Sequence, residues 1–192
     1  MKEIVKNFEA LIFDLDGTLA DTMPIHYQAS QDICNKYGFD FPLDYFYSQA
    51  GRPTVDVFVD LIKILNLNLD GKDIAHQKEI RFLELLPEVK PIQKVYEIAL
   101  ENYGKKAMAI GSGGDKKTVE LTLETLNCKH LFSAIVSAND VQKHKPFPET
   151  FLRCAELMGV NPKNCIVFED GPPGIVAAKA AGMAVIDIRE FI

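Results

Sequence analysis

The chain has 192 residues, of which 47% are hydrophobic and 25% charged, with a formal net charge of −6. That size and balance describe an ordinary globular protein with room for a substantial core in one or two domains. The acidic balance and the lack of a long basic run argue against a nucleic-acid partner, and no apolar run is long enough to span a bilayer.

The N-terminus, Met1 to Asn7, has no long apolar stretch after its charges and does not read as a secretory signal. The four cysteines, Cys34, Cys128, Cys154 and Cys165, form no CxxC pair and have no histidine at zinc-finger spacing. They read as buried, reduced thiols of a cytoplasmic protein.

Ala10-Leu11-Ile12-Phe13 is a short apolar run of the kind that forms a buried strand in a parallel sheet. Asp14 and Asp16 follow it at i and i+2, and Gly17 breaks the strand at once. An extended backbone places i and i+2 on one side, so two carboxylates face the same way. Asp-Gly after a strand is also an ordinary turn signal. A shared cation or proton would relieve the repulsion between two such carboxylates.

Residues 22–38 read as an amphipathic helix with Ile25, Ala29, Ile33 and Tyr37 on one face and Gly38 as its stop. Val55, Phe58, Val59, Ile62 and Leu65 recur at helical spacing, and a third helix is predicted from about Lys72 to Leu86. Pro87 and Pro91 then punctuate the chain. Beyond them the rhythm changes. A helix carries Ile92, Val95, Tyr96 and Ala99, and a strand at 107–110 ends in Gly111-Ser112-Gly113-Gly114. A helix from Asp115 to Leu126, a strand at 134–136 and a helix from Pro148 to Met158 come next. Last are a strand at 165–168 running into Glu169-Asp170, an alanine-rich helix at 174–181 and a strand at 184–186. This alternation predicts an α/β fold: a Rossmann-like, doubly wound parallel sheet. The helices before Pro87 fit poorly inside it and read as an inserted, all-helical cap. The expected division is a core of residues 1–20 and 87–192 with a cap of residues 21–86, hinged to close over substrate.

In a parallel sheet the carboxyl ends of the strands share one rim, so the groups at those ends can converge. Asp14, Asp16, Glu169 and Asp170 would offer hard oxygen ligands, which select Mg²⁺ over softer metals. Ser112 and nearby backbone N–H groups such as that of Gly113 would make an anion site before a helix. Lys145 would add a positive charge. Each piece has a plain alternative: a glycine-rich turn, a solvated lysine, an acidic helix cap. Together they form the electrostatic arrangement that phosphoryl transfer requires.

The set Asp14-Leu15-Asp16-Gly17-Thr18, Ser112, Lys145-Pro146 and Glu169-Asp170 resembles the four motifs of the haloacid dehalogenase superfamily, in the branch with a helical cap after the first strand. The resemblance covers about residues 8–189, and the stretches 143–151 and 167–170 look like sugar-phosphate phosphatases of the fructose-1-phosphatase type and like β-phosphoglucomutase. It implies that Asp14 is the nucleophile and Asp16 the general acid and base. Mg²⁺ would be held by Asp14, the Asp16 carbonyl and Asp170, with Glu169 ligating or close by. Ser112, Gly113 and Lys145 would bind the phosphoryl group, and Thr18 would support the Asp14 loop. The dehalogenases lack an acid at the position of Asp16, so carbon–halogen chemistry is disfavoured. In the cap, the resemblance assigns His26, Arg52 and Lys78 to the substrate, with Gly51-Arg52-Pro53-Thr54 as the specificity loop. Thr54 stands where the mutase has its loop arginine, which weakens the mutase reading.

The expected activity is therefore hydrolysis of a small phosphorylated metabolite by a monomeric enzyme. Phosphoryl transfer within a hexose phosphate is the first alternative, and a non-catalytic phospholigand-binding protein is the second.

Overall fold

The computed structural model describes every residue except 50 and 51. The chain divides into two compact units, residues 1–21 with 89–192, and residues 22–88.

The first unit is built on five parallel strands: β1 (Ala10–Phe13), β2 (Ala107–Gly111), β3 (Ala134–Val136), β4 (Cys165–Glu169) and β5 (Ala184–Asp187). Their spatial order is β3-β2-β1-β4-β5. Strand β1 therefore lies at the centre, with Phe13 in register with both Ile110 of β2 and Phe168 of β4. A central parallel strand is covered on both faces, and all four residues of β1 are buried.

The connecting helices are α5 (Gln93–Asn102), α6 (Lys116–Thr125), α7 (Glu149–Met158) and α8 (Pro172–Ala180). The connection through α6 runs outward from β2 to β3, whereas those through α7 and α8 run the other way, from β3 across to β4 and on to β5. Right-handed crossovers in opposite directions cover opposite faces of a sheet. Phe151, Cys154 and Ala155 of α7 and Ala177 and Ala178 of α8 accordingly share one core cluster with Ala10, Ile12, Ala109 and Val167. Leu11, Phe13, Met108 and Ile110 alternate to the other face and are also buried. There the Phe13 and Phe168 rings stack at 4.7 Å. The chain reverses direction across the sheet beside β1, and such a switch point opens a crevice at the carboxyl ends of the strands.

The helices and strands follow the sequence expectation closely. Strands β2, β4 and β5 each run one residue further than the apolar patterning implies. Helix α8 opens at Pro172 and Pro173, two residues earlier than its alanine run. Proline suits a first turn because its missing N–H has no partner there.

The second unit is all helical: α1 (Met23–Lys36), α2 (Leu43–Ser48), α3 (Thr54–Ile64) and α4 (Gly71–Leu85). Its core joins Ile33 and Cys34 of α1, Phe41 of the link between α1 and α2, Val57, Phe58, Leu61 and Ile62 of α3, and Ile74 and Ala75 of α4. The structure corrects two points of the sequence reading. Helix α2 carries no buried residue and left no periodic signal. On α3, Phe58 and Ile62 face inward as their spacing implies, but Val55, Val59 and Leu65 are exposed and Val57 and Leu61 take the inner places.

All four cysteines are buried free thiols, and burial pushes those of Cys34 and Cys154 up to about 12. Among the described residues no helix is long and apolar enough to cross a membrane.

Gly71 sets the spacing of the helical unit. A Cβ there would lie 2.7 Å from the Val59 Cα, which is backbone of α3 and cannot swing aside. Gly71→Ala should therefore destabilise the protein by about 1–3 kcal/mol through overpacking, although alanine is the better helix former by about 1 kcal/mol. Thermal unfolding followed by circular dichroism checks the sign. A raised melting temperature would mean that α3 and α4 separate freely.

Candidate active site

The site is assembled where β1 and β4 end side by side. The Asp14 N–H donates to the Phe168 carbonyl at 3.0 Å, so the ladder continues one residue past β1 and carries Asp14 to the rim next to Glu169. Both side chains are almost fully enclosed, at 6% and 3% exposure.

The chain then turns sharply. Gly17 has φ +79°, and a Cβ on it would lie 2.6 Å from the Asp170 Oδ2. Glycine is thus required twice, for the left-handed backbone and for the close approach of the carboxylate. The buried Thr18 hydroxyl donates to the Asp170 Oδ1 at 2.8 Å. Thr18 therefore orients the acid of β4's loop and ties it to the loop after β1.

Lys145 reaches the same place from the segment between β3 and α7. Its Nζ donates to the Asp14 Oδ1 at 2.5 Å and to the Glu169 Oε1 at 2.8 Å. The Phe151 ring lies 4.8 Å from the ammonium and adds a cation–π contact. Glu169 is fixed on its other side as well: its Oε2 accepts from the Gly171 N–H at 2.6 Å. Gly174 leaves room for it, since a Cβ there would fall 1.6 Å from the Glu169 Oε1.

Ser112 sits at the end of β2, buried, with its N–H donating to the Val136 carbonyl and its Oγ accepting from the Gly114 N–H, both at 2.9 Å. Gly113 faces open space. A Cβ placed on Gly114 would lie 3.3 Å from the Ser112 Oγ and 3.6 Å from the Asp16 Oδ2, so the Asp16 carboxylate and the Ser112 turn are neighbours. Helix α6 begins just beyond, capped by Asp115 through the Lys117 and Thr118 N–H groups.

The electrostatics are unbalanced. Oxygen atoms of Asp14, Glu169 and Asp170 all lie within 4.8 Å of one another, against, among the described residues, the one ammonium of Lys145. Burial raises the Asp14 carboxyl well above the carboxylate range; Lys145 opposes this, and Glu169 and Asp170 reinforce it. Burial also raises Asp170, and its bond from Thr18 offsets part of that. Burial by itself would lower the Lys145 ammonium, but attraction to Asp14 and Glu169 overcomes it and holds Lys145 above its ordinary range. Three crowded all-oxygen ligands, two buried and Asp170 half-buried, short of positive charge, fit a hard divalent cation. The Asp16 side chain does not belong to this trio.

Sequence reasoning missed two supports of the site: Phe151 beneath Lys145, and Gly174 beside Glu169. Phe151 reads only as a core residue of an amphipathic helix, and Gly174 only as the start of an alanine-rich one.

The residues assigned to the helical unit fall into two groups. Lys78 is buried, with its Nζ 2.8 Å from the His26 Nδ1 and 3.1 Å from the Glu79 Oε1. An ammonium has no acceptor, so in this pair the Nδ1 accepts and the imidazole proton sits on Nε2. The His26 ring stacks on Phe82 at 3.9 Å, and the Thr54 hydroxyl joins the cluster by donating to the Glu79 Oε1 at 2.9 Å. Arg52 is instead tied to the Asp60 Oδ2 at 2.6 Å and to the Gln49 Oε1. Gly51 lies outside the described residues.

Comparison with known proteins gives the family. Residues 11–188 match the protein family described as haloacid dehalogenase-like hydrolase. Fructose-1-phosphate phosphatase YqaB of Escherichia coli is 38% identical over 186 residues, spanning 96% of this chain and 98% of its own. The phosphorylated carbohydrates phosphatase of Thermotoga maritima is 31% identical over 179 residues, spanning 91% and 80%. Among solved structures, β-phosphoglucomutase from Clostridium difficile superposes with a TM-score of 0.76 at 27% identity, covering 93% of this chain and 83% of that one. With nearly its whole length matched, the chain belongs to the haloacid dehalogenase-like hydrolase family and is one of its phosphatase-like enzymes.

Proposed function

We propose that the protein hydrolyses a small phosphomonoester, with a sugar phosphate of the fructose-1-phosphate kind as its substrate, through a phosphoryl group carried on Asp14. The observation that carries this reading is the Lys145 ammonium held between Asp14 and Glu169 at the strand ends. A buried carboxylate with a cation beside it can receive an anionic phosphoryl group that it would otherwise repel.

In the first step an Asp14 carboxylate oxygen attacks phosphorus. The bond from phosphorus to the leaving alcohol breaks, and Asp16 gives that oxygen its proton. In the second step Asp16 takes a proton from water, the water oxygen attacks the same phosphorus, and inorganic phosphate leaves as the Asp14 carboxylate is restored. Lys145, the Ser112 hydroxyl and the Gly113 N–H hold the phosphoryl oxygens. Asp14, the Asp16 carbonyl and Asp170 would hold Mg²⁺, with Glu169 beside it. When bound, Mg²⁺ supplies positive charge that offsets the carboxylates and the transferring group.

The helical unit is assigned the choice among phosphorylated substrates through Lys78, His26 and Arg52. Lys78 and His26 are locked in one hydrogen-bonded cluster, whereas Arg52 is engaged by Asp60, so Lys78 is expected to weigh more. The likeness to β-phosphoglucomutase favours a second reading, transfer of the phosphoryl group within a hexose phosphate. Incubation with Mg²⁺ and a panel of sugar phosphates separates the two. Free phosphate is expected, and isomerised sugar phosphate without release would favour the mutase.

Asp14→Asn should lower phosphate release from the best substrate by at least about a thousandfold, since an amide is a far weaker nucleophile. Its far-ultraviolet circular dichroism should match that of the wild type. Turnover at near wild-type rate would remove Asp14 from the chemistry.

Mg²⁺ should raise the melting temperature of the unliganded protein by neutralising the crowded carboxylates, and Asp170→Asn should lose most of that rise. A differential scanning fluorimetry titration checks this independently of turnover. An equal rise in both proteins would place the ion elsewhere.

A further inference from the structure

Among the described residues Lys145 is the one ammonium in contact with Asp14 and Glu169, yet it lies in a largely irregular segment. Between β3 and α7 the chain carries a single short 3-10 turn, Ala138–Asp140. The start of this segment is well anchored. The Asp140 Oδ2 accepts from the Ser137 hydroxyl at 2.6 Å and from its N–H at 2.9 Å, and the Ala138 N–H donates to the Gly114 carbonyl. Residues 142–144 are then exposed and belong to no helix or strand.

One side chain fastens that stretch. Glu149, the first residue of α7, accepts the Gln142 N–H on Oε1 and the Lys143 N–H on Oε2, each at 2.9 Å. Two backbone donors on one carboxylate make a charge-assisted, bidentate clamp, and they hold the Glu149 carboxyl below its ordinary range. The residues that follow are locked into the core: Thr150 and Phe151 are buried, and Phe151 is the ring beneath the Lys145 ammonium. The first turn of α7 therefore grips the Lys145 segment twice, at its backbone through Glu149 and at its ammonium through Phe151.

We propose that Glu149 is a positioning residue that acts through Lys145: by closing the loop of residues 142–149, its carboxylate sets the reach of the Lys145 Nζ to Asp14 and Glu169. This rests on the reading of Lys145 as part of the phosphoryl site. A lysine side chain has many rotamers to lose, and a mobile backbone beneath it would add to the ordering that each catalytic cycle requires. The clamp removes that freedom in advance. The competing role is plain helix stabilisation, because an acid in the first turn of a helix interacts favourably with its N-terminus. That role makes no reference to Lys145, so the two are separable by coupling.

The test is a double-mutant cycle on kcat/KM for phosphate release, using Glu149→Ala, Lys145→Ala and the double variant. Glu149→Ala should lower kcat/KM by about 10–100-fold in the presence of Lys145, as misplacement of a positioning group does. In the Lys145→Ala background it should change kcat/KM by less than about twofold. Glu149→Gln, which keeps one acceptor oxygen, should fall between wild type and alanine, and it carries the same cycle if the alanine variant does not fold. Equal losses in both backgrounds, or wild-type rates for Glu149→Ala, would overturn the inference. Wild-type activity of Lys145→Ala alone would instead overturn the site reading on which it rests.

Discussion

Everything at the rim of the sheet depends on one unfavourable act: several carboxylates are buried together with too little positive charge. Isolated buried ions are expensive, and burial normally neutralises them or recruits a partner. Here Lys145 partners two of them, Thr18 and the Gly171 N–H satisfy others, and the remaining demand is for a cation. A fold that only had to be stable would do as well with apolar side chains at these positions. The arrangement makes sense as a receptor for a group whose own charge is negative and whose transfer needs charge already in place.

The sheet makes this arrangement possible at low cost. Strand β1 is central and apolar throughout, so its burial is secure before any polar residue appears. The polar residues follow only where the strands stop, and four separate strands stop at the same rim. Glycine does the remaining work in two places. At Gly17 the backbone turns into the left-handed region against Asp170, and at Gly174 the missing side chain leaves space for Glu169. The helix after β3 contributes from beneath, since Phe151 belongs to the apolar core and touches Lys145 with the edge of that core.

Much of this was legible in the sequence. The buried parallel strands are continuous apolar runs, and the acids and the Ser112 turn stand directly after them, so strand order brings those together; Lys145 comes only later, in the segment between β3 and α7. What was not legible has a physical cause in each case. Helix α2 has only six residues and none fully buried, although Tyr45 and Phe46 lean on the core, so it is too short to show a helical period. Helix α3, with the sequence Thr-Val-Asp-Val-Phe-Val-Asp-Leu-Ile-Lys-Ile, is apolar on more than one side, and spacing cannot say which side turns inward. The partnership of Lys78 with His26, and of Thr54 with Glu79, spans helices far apart in the chain and leaves no local mark. Phe151 and Gly174 look like ordinary helix residues, because their role exists only through the charged side chains they adjoin.

The central claim is that Asp14 itself carries the phosphoryl group. It is tested most directly by rapid acid quench of the enzyme with Mg²⁺ and fructose-1-phosphate, followed by borohydride reduction and peptide mass spectrometry. Homoserine is expected at position 14, the product of reducing an acyl phosphate on that carboxyl. Reduction at another acidic residue, with Asp14 intact while substrate turns over, would contradict it.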